Sequence, residues 1–198
     1  MNIEVRNNEA IIQGYVQSVE RFSKPLYDNQ GRFIEKIAAG TFQRAIEKGG
    51  EILALLNHRP DRVLGKTSDN TLKLREDSIG LKAELRVTDA EVIQKAKENR
   101  LKGWSFGFSP TKQEFYEGKN GIRERTVEDM ILKEVTVVDD TKSPAYIGTL
   151  IEMREEDTLV FEFRANEEAF DVDVIEDTDK KEHIDLTKYK HRANKLRL

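Results

Sequence analysis

The chain has 198 residues, 37% hydrophobic and 35% charged, with a net charge of −4 and no cysteine. That fits one domain of ordinary size plus a solvated extension, and it excludes disulfide frameworks, cysteine-ligated zinc and thiol catalysis. The charge argues against bulk nucleic-acid binding; with no signal peptide and no apolar run near the ~20 residues that span a bilayer, a soluble intracellular protein without a membrane partner is expected.

In chain order, "AIIQGYVQSV" (10–19) alternates apolar and polar residues and reads as a strand. "TFQRAIEKGG" follows as a helix, with Thr41 as its expected cap and Gly49-Gly50 as its end. "EILALLN" (51–57) is a continuous apolar run, the pattern of a strand buried on both faces. "NTLKLRED" and "GLKAELRV" alternate around Ser78-Ile79-Gly80 and predict a hairpin. "TDAEVIQKAKENR" predicts a second helix, with Thr88 and Glu91 at capping-box spacing. "SFGFSPTKQEFY", "GIRERTV" and "MILKEVTVV" add further strands. About seven short strands and two helices predict a mainly β domain, a small barrel with peripheral helices, over residues 1–151.

The remainder differs in kind. Residues 152–179 carry 12 acidic and 2 basic side chains, and 180–198 carry 2 acidic and 7 basic ones. Such a polyampholyte reads as a flexible tail over 152–198, although "TLVFEFRA" (158–165) alternates like one strand able to dock.

Chemistry has few carriers here. A glycine-rich phosphate loop, a paired-histidine zinc motif and a dense His/Asp cluster are all missing, so neither cofactor nor metal is expected. Of the three histidines, His183 and His191 fall in the charged tail, leaving His58 in "LALLNHRPDRVLG". The Asn-His-Arg-Pro-Asp run has the composition of a surface loop. An ordinary loop histidine and a general base held at the rim of a buried strand are both open readings.

Ser105 stands out among the serines. Trp104 and Phe106 alternate to the face opposite it, while Gly103 and Gly107 share its own face and leave its hydroxyl approachable. The same glycines fit a bulge or tight packing equally well. A serine attacks a carbonyl only if a base takes its proton and a third group orients that base. Glu134, in "DMILKEVTVVDD", shares its strand face with Leu132, Thr136 and Val138, a mainly apolar set. A carboxylate there needs a partner, either an Arg or Lys in a structural ion pair or the base of a catalytic group.

Taken together, "GYVQSVERFS" leading into "FIEKIAAGTFQRAI", then "LLNHRPDRVLGKT", "GWSFGF" and "LKEVTVVDDTKSPAY" resemble, in order, the prohead serine protease family of tailed bacteriophages. That family is itself regarded as a distant relative of the herpesvirus assemblin proteases. The resemblance covers about residues 10–150, with Thr41 where alanine is common and Thr136 where serine is usual. It implies an assemblin-like fold, Ser105 as nucleophile and His58 as base. The assemblin relatives use a second histidine as third member; this body has none to spare, and Glu134 lies in the matched strand. Peptide hydrolysis through an acyl-enzyme is implied, with the scaffolding segment of the major capsid protein and the protease itself as substrates. The implied setting is the prohead interior in the host bacterial cytoplasm, with a homo-oligomer compatible. A non-catalytic internal capsid or scaffold protein of the same fold is the alternative. Arg123 and Arg125 are open candidates for neighbours of the oxyanion.

Overall fold

The structure is a computed structural model describing residues 2–6, 8–118, 121–141, 151–152, 161–166 and 171–174. His183, His191, most of the segment read as a flexible tail, and the Pro144-Ala145-Tyr146 motif lie outside the described residues. In chain order the elements are β1 (Asn2–Arg6), β2 (Glu9–Ser18), β3 (Leu26–Asp28), β4 (Gly31–Ile37), α1 (Thr41–Glu47), β5 (Leu53–Leu56), β6 (Arg59–Lys66), β7 (Leu72–Glu76), β8 (Gly80–Val87), α2 (Ala90–Lys97), β9 (Leu101–Glu117), β10 (Arg123–Asp139), β11 (Ile151–Glu152), β12 (Phe161–Asn166) and β13 (Asp171–Val174). Among the described residues, no helix is long and apolar enough to cross a membrane.

The protein is mainly β, as its periodicity predicts. A closed barrel of about seven strands is not found: the described strands form two open sheets, β13-β1-β2-β8-β7 and β11-β12-β9-β10-β4-β3, the second also carrying β5 and β6. The count of seven is exceeded because short pairings such as β3–β4 and β1–β13 carry little periodic signal. In the first sheet the expected hairpin is present, with Leu72 opposite Leu85 and Glu76 opposite Leu81. Asp77 Oδ1 shapes its turn by accepting from the amides of Ile79 (2.9 Å) and Gly80 (3.3 Å). Gly80 is needed there, because a Cβ at that position would lie 2.1 Å from the Gln17 carbonyl oxygen of β2.

Both helices begin one residue away from their expected caps. Gly40, with φ 80°, is the N-cap of α1, and Thr41 turns its hydroxyl to the Glu128 carbonyl at 3.1 Å. The first-turn amides of Gly40 and Gln43, half-buried, instead donate to the two carboxylate oxygens of Glu76, at 2.6 and 2.7 Å. A carboxylate at this end suits both the unpaired amides and the helix dipole. For α2 the cap is Asp89 rather than Thr88, its Oδ1 accepting from Val92 N at 3.0 Å. Glu91 turns away to Lys95 and Arg62.

The two sheets share one core, in which Ile3, Ile12 and Leu85 of the first meet Phe42, Trp104, Phe106 and Val135 from the second and its flanking helix. Phe42 packs edge-on to Phe106 at 5.4 Å between ring centroids, and Phe106 stacks on Phe108 at 5.2 Å. β9 and β10 form the backbone of the larger sheet, and their register shifts at Val127/Asp129, Asp129/Met130 and Leu132/Glu134. Arg125 sits opposite Phe115 and Glu162 opposite Phe108, yet Arg125 Nη1 lies 2.5 Å from Glu162 Oε2. Seven residues of straight strand would separate those rows by roughly 23 Å. The shifts therefore mark where the sheet bends and brings its far end back over β12.

Candidate active site

Three elements supply the site. β9 delivers Ser105, β10 delivers Glu134, and the turn between β5 and β6 delivers His58. In the β9–β10 pair Ser105 lies opposite Thr136 and Gly107 opposite Glu134. Directly opposed residues of an antiparallel pair share a face, so Ser105, Thr136 and Glu134 project to the same side. Gly107 brings no side chain to compete for the space across from Glu134.

β5 runs parallel to β10, pairing Leu53 with Glu134 and Leu56 with Val137. This places the next residues of the chain beyond Val137, and a tight turn folds them back. Leu56 pairs with Arg59, so Asn57 and His58 are its two central residues, with φ of 55° and 58°. Positive φ at both positions is the signature of the hairpin turn that suits strand twist, and Asn favours it. Histidine at the second position carries a backbone cost, which neighbouring structure must offset. Asn57 supplies the anchor. Its amide donates to Val137 O at 3.0 Å, and its Oδ1 accepts from Asp139 N at 3.0 Å. Asp139 is in turn fully buried, 2.5 Å from Lys95 of α2, and bonds the amide and hydroxyl of Thr141. Burial pushes the Asp139 carboxyl up, but hydrogen bonds from Lys95, Thr141 and Asn57 outweigh it and bring it to about 2. The turn is thus pinned from below by a buried ion pair.

The result is a continuous chain of contacts. His58 Nε2 lies 2.7 Å from Ser105 Oγ, and His58 Nδ1 contacts Glu134 Oε1. Thr136 hydrogen-bonds His58 and also donates from Oγ1 to Glu134 Oε1 at 3.4 Å. Glu134 is buried, on the inward face its alternation predicts. The structure therefore brings together all three residues singled out in the sequence. Arg123 and Arg125 go elsewhere: Arg123 pairs with Asp28 at 2.5 Å, and Arg125 enters a buried cluster with Glu35, Glu162 and Arg164.

Ser105 is itself fully buried, because β12 pairs antiparallel with β9 over it. Ala165 lies opposite Ser105, and the Ser105 hydroxyl donates to the Arg164 carbonyl at 2.8 Å. A hydroxyl has one proton to donate. While it points at Arg164 O it is not on the line to His58 Nε2, so transfer to the ring requires that bond to be released. Chemically, the arrangement offers a serine, an imidazole within proton-transfer reach, and a carboxylate on the far ring nitrogen. It also seats a peptide strand with one carbonyl at the hydroxyl.

The model of the caudovirus prohead serine protease family matches residues 1–162. The chain belongs to that family. No curated protein and no solved structure matches it.

Proposed function

We propose that the protein is the serine endopeptidase of phage head maturation, with Ser105 as nucleophile, His58 as general base and Glu134 as the carboxylate that orients the imidazole. The observation that carries this reading is the 2.7 Å contact between His58 Nε2 and Ser105 Oγ, with Nδ1 of the same ring against Glu134. Ser105 Oγ attacks the scissile carbonyl as its proton passes to Nε2. The same proton is then given to the leaving nitrogen, and water releases the acyl-enzyme by the reverse sequence. Glu134 fixes the ring with Nδ1 protonated and stabilises the imidazolium that forms.

Family membership supports substrates within the assembling head, the scaffolding segment of the major capsid protein and the protease itself. The catalytic unit is assigned to residues 1–151, and the charged segment 152–198 to addressing the enzyme or to removal by self-cleavage. Ser105→Ala tests the reading. Co-expressed with its capsid protein, the variant is expected to lose both self-processing and capsid-protein cleavage, by ~10⁵-fold or more in rate, with an unchanged circular dichroism spectrum. Processing at the wild-type rate would instead favour a non-catalytic internal capsid protein of the same fold.

A further inference from the structure

β12 is held on the outer edge of β9 by more than backbone pairing. Its Glu162 and Arg164 side chains are buried with Glu35 of β4 and Arg125 of β10. Arg164 reaches Glu35 through Nε at 2.9 Å and Nη2 at 3.1 Å, and its guanidinium lies 5.6 Å over the Phe108 ring. Glu162 receives both Nη groups of Arg125, at 2.5 and 2.7 Å. Arg164 and Glu162 also touch each other at 2.6 Å. The cluster therefore has two fixed members, Glu35 and Arg125, already bonded at 2.7 Å, and two members brought by the strand.

A purely structural strand would be held as well or better by apolar contacts, since burying four charges costs desolvation on every one. Charges instead make the contact selective for sequence. The grip is also incomplete: among the described residues Arg125 Nε has no hydrogen-bond acceptor. An occupant that leaves its site imperfectly satisfied is one that can be exchanged.

From this we infer that the outer edge of β9, residues 104–108, is the docking site for an extended substrate strand, with Glu35 and Arg125 as its specificity-determining pair and with residues 161–166 as a tethered occupant that holds it closed. The inference rests on the protease reading. Glu35 selects a basic side chain on the residue whose carbonyl faces Ser105, and Arg125 selects an acidic one two residues earlier. The bond cut is the one after the basic residue: Ser105 Oγ joins its carbonyl carbon, the Ser105 proton goes to His58 and on to the leaving amide nitrogen, and water then frees the acyl group. In the resting chain the corresponding bond is Arg164–Ala165, with the serine proton engaged by the Arg164 carbonyl. A second strand enters only when β12 leaves.

The test uses the full-length chain and two fluorogenic peptides, one with the sequence of residues 158–168 and one with its Glu162 and Arg164 exchanged. The wild type is expected to cut the first after its arginine, and the second at least about tenfold more slowly. Glu162→Ala with Arg164→Ala in the protein is expected to raise cleavage of the first peptide about tenfold by freeing the edge. Glu35→Arg with Arg125→Glu is expected to reverse the preference between peptides. If that double variant does not fold, Glu35→Gln is read instead, with a narrowed ratio between a peptide carrying arginine at the cut and one carrying glutamine. Equal rates on both peptides, or no gain on freeing β12, overturn the inference. Labelling of Ser105 by a fluorophosphonate separates the two levels. If the Glu162→Ala, Arg164→Ala variant is labelled but shows no charge preference, this inference fails and the protease reading stands. If that variant, with its edge freed, is neither labelled nor active, the protease reading fails and this inference with it.

Discussion

Strands β2 and β9 are both long members of antiparallel sheets, and they are buried in different ways. In β2 burial alternates residue by residue: Ala10, Ile12 and Val16 face the core while Ile11, Gln13, Tyr15 and Gln17 sit on the half-exposed side. In β9 every residue from Gly103 to Ser109 is buried, so this stretch has no solvent face. A strand of the first kind sorts its polar side chains into water at no cost. One of the second kind must find a partner for each polar group it carries. Ser105 finds His58 and the Arg164 carbonyl, whereas Ser109 Oγ, in the same stretch, has no hydrogen-bond partner among the described residues. The candidate chemistry lies where the sheet is covered on both sides, and the simple alternation lies where the sheet only packs.

Substitutions at the two strands should accordingly damage different properties. Ser105→Ala stands at the top of the scale, for activity alone. Next comes Glu134→Gln, which keeps the shape of the side chain but no longer dictates which ring nitrogen of His58 carries the proton. A fall in peptide cleavage of about 10⁴-fold is expected, with the melting temperature nearly unchanged. If stability fell instead and cleavage did not, Glu134 would be a structural ion-pair residue only. Ile12→Ala reverses the pattern. Removing a fully buried side chain from the core face of β2 should cost about 3 kcal/mol, a drop of roughly 10 °C in Tm for a chain of this size. Cleavage at 25 °C should be preserved, and a large loss of activity in the folded variant would show that the two strands are not separable in this way.

The same contrast decides what could be read from the sequence. β2 and the β7–β8 hairpin were legible because a one-sided strand writes its period into its residues. β9 and β10 read as shorter pieces, because the bulges that bend them interrupt the period while the strands run on. The Asn-His-Arg-Pro-Asp run reads as a loop, yet only Asn57 and His58 turn. Pro60 falls in β6, which pairs with β5 alone, and an edge strand tolerates its missing amide. Ser105, His58 and Glu134 were each legible as an odd residue in its segment, Glu134 most clearly as a carboxylate in an apolar set. Asn57, Asp139 and Lys95 were not, since what matters about them is a contact between distant segments. The cluster of Glu35, Arg125, Glu162 and Arg164 is hidden for the same reason: its members are ordinary charged residues until the sheet bends.

The buried pair under the His58 turn gives the smallest expected effect and the one with a pH signature. Asp139 titrates at about 2 in the folded protein, against about 4 for an unfolded aspartate. A depressed carboxyl contributes stability that is fully present above the unfolded value and is lost as pH falls through the folded one. Here that window runs from about pH 4 down to about pH 2, and the difference corresponds to about 2–3 kcal/mol at neutral pH. Asp139→Asn should therefore be about 2–3 kcal/mol less stable than the wild type near pH 7 in urea unfolding, with about half of that difference gone by pH 3. Because the lock acts through Asn57 on the turn that carries His58, the variant should also lose several-fold in cleavage, and Ile12→Ala at equal destabilisation should not. A stability difference that stays constant between pH 7 and pH 3 would mean that the Asp139 charge contributes nothing. The turn would then be held by the backbone bonds of Asn57 alone.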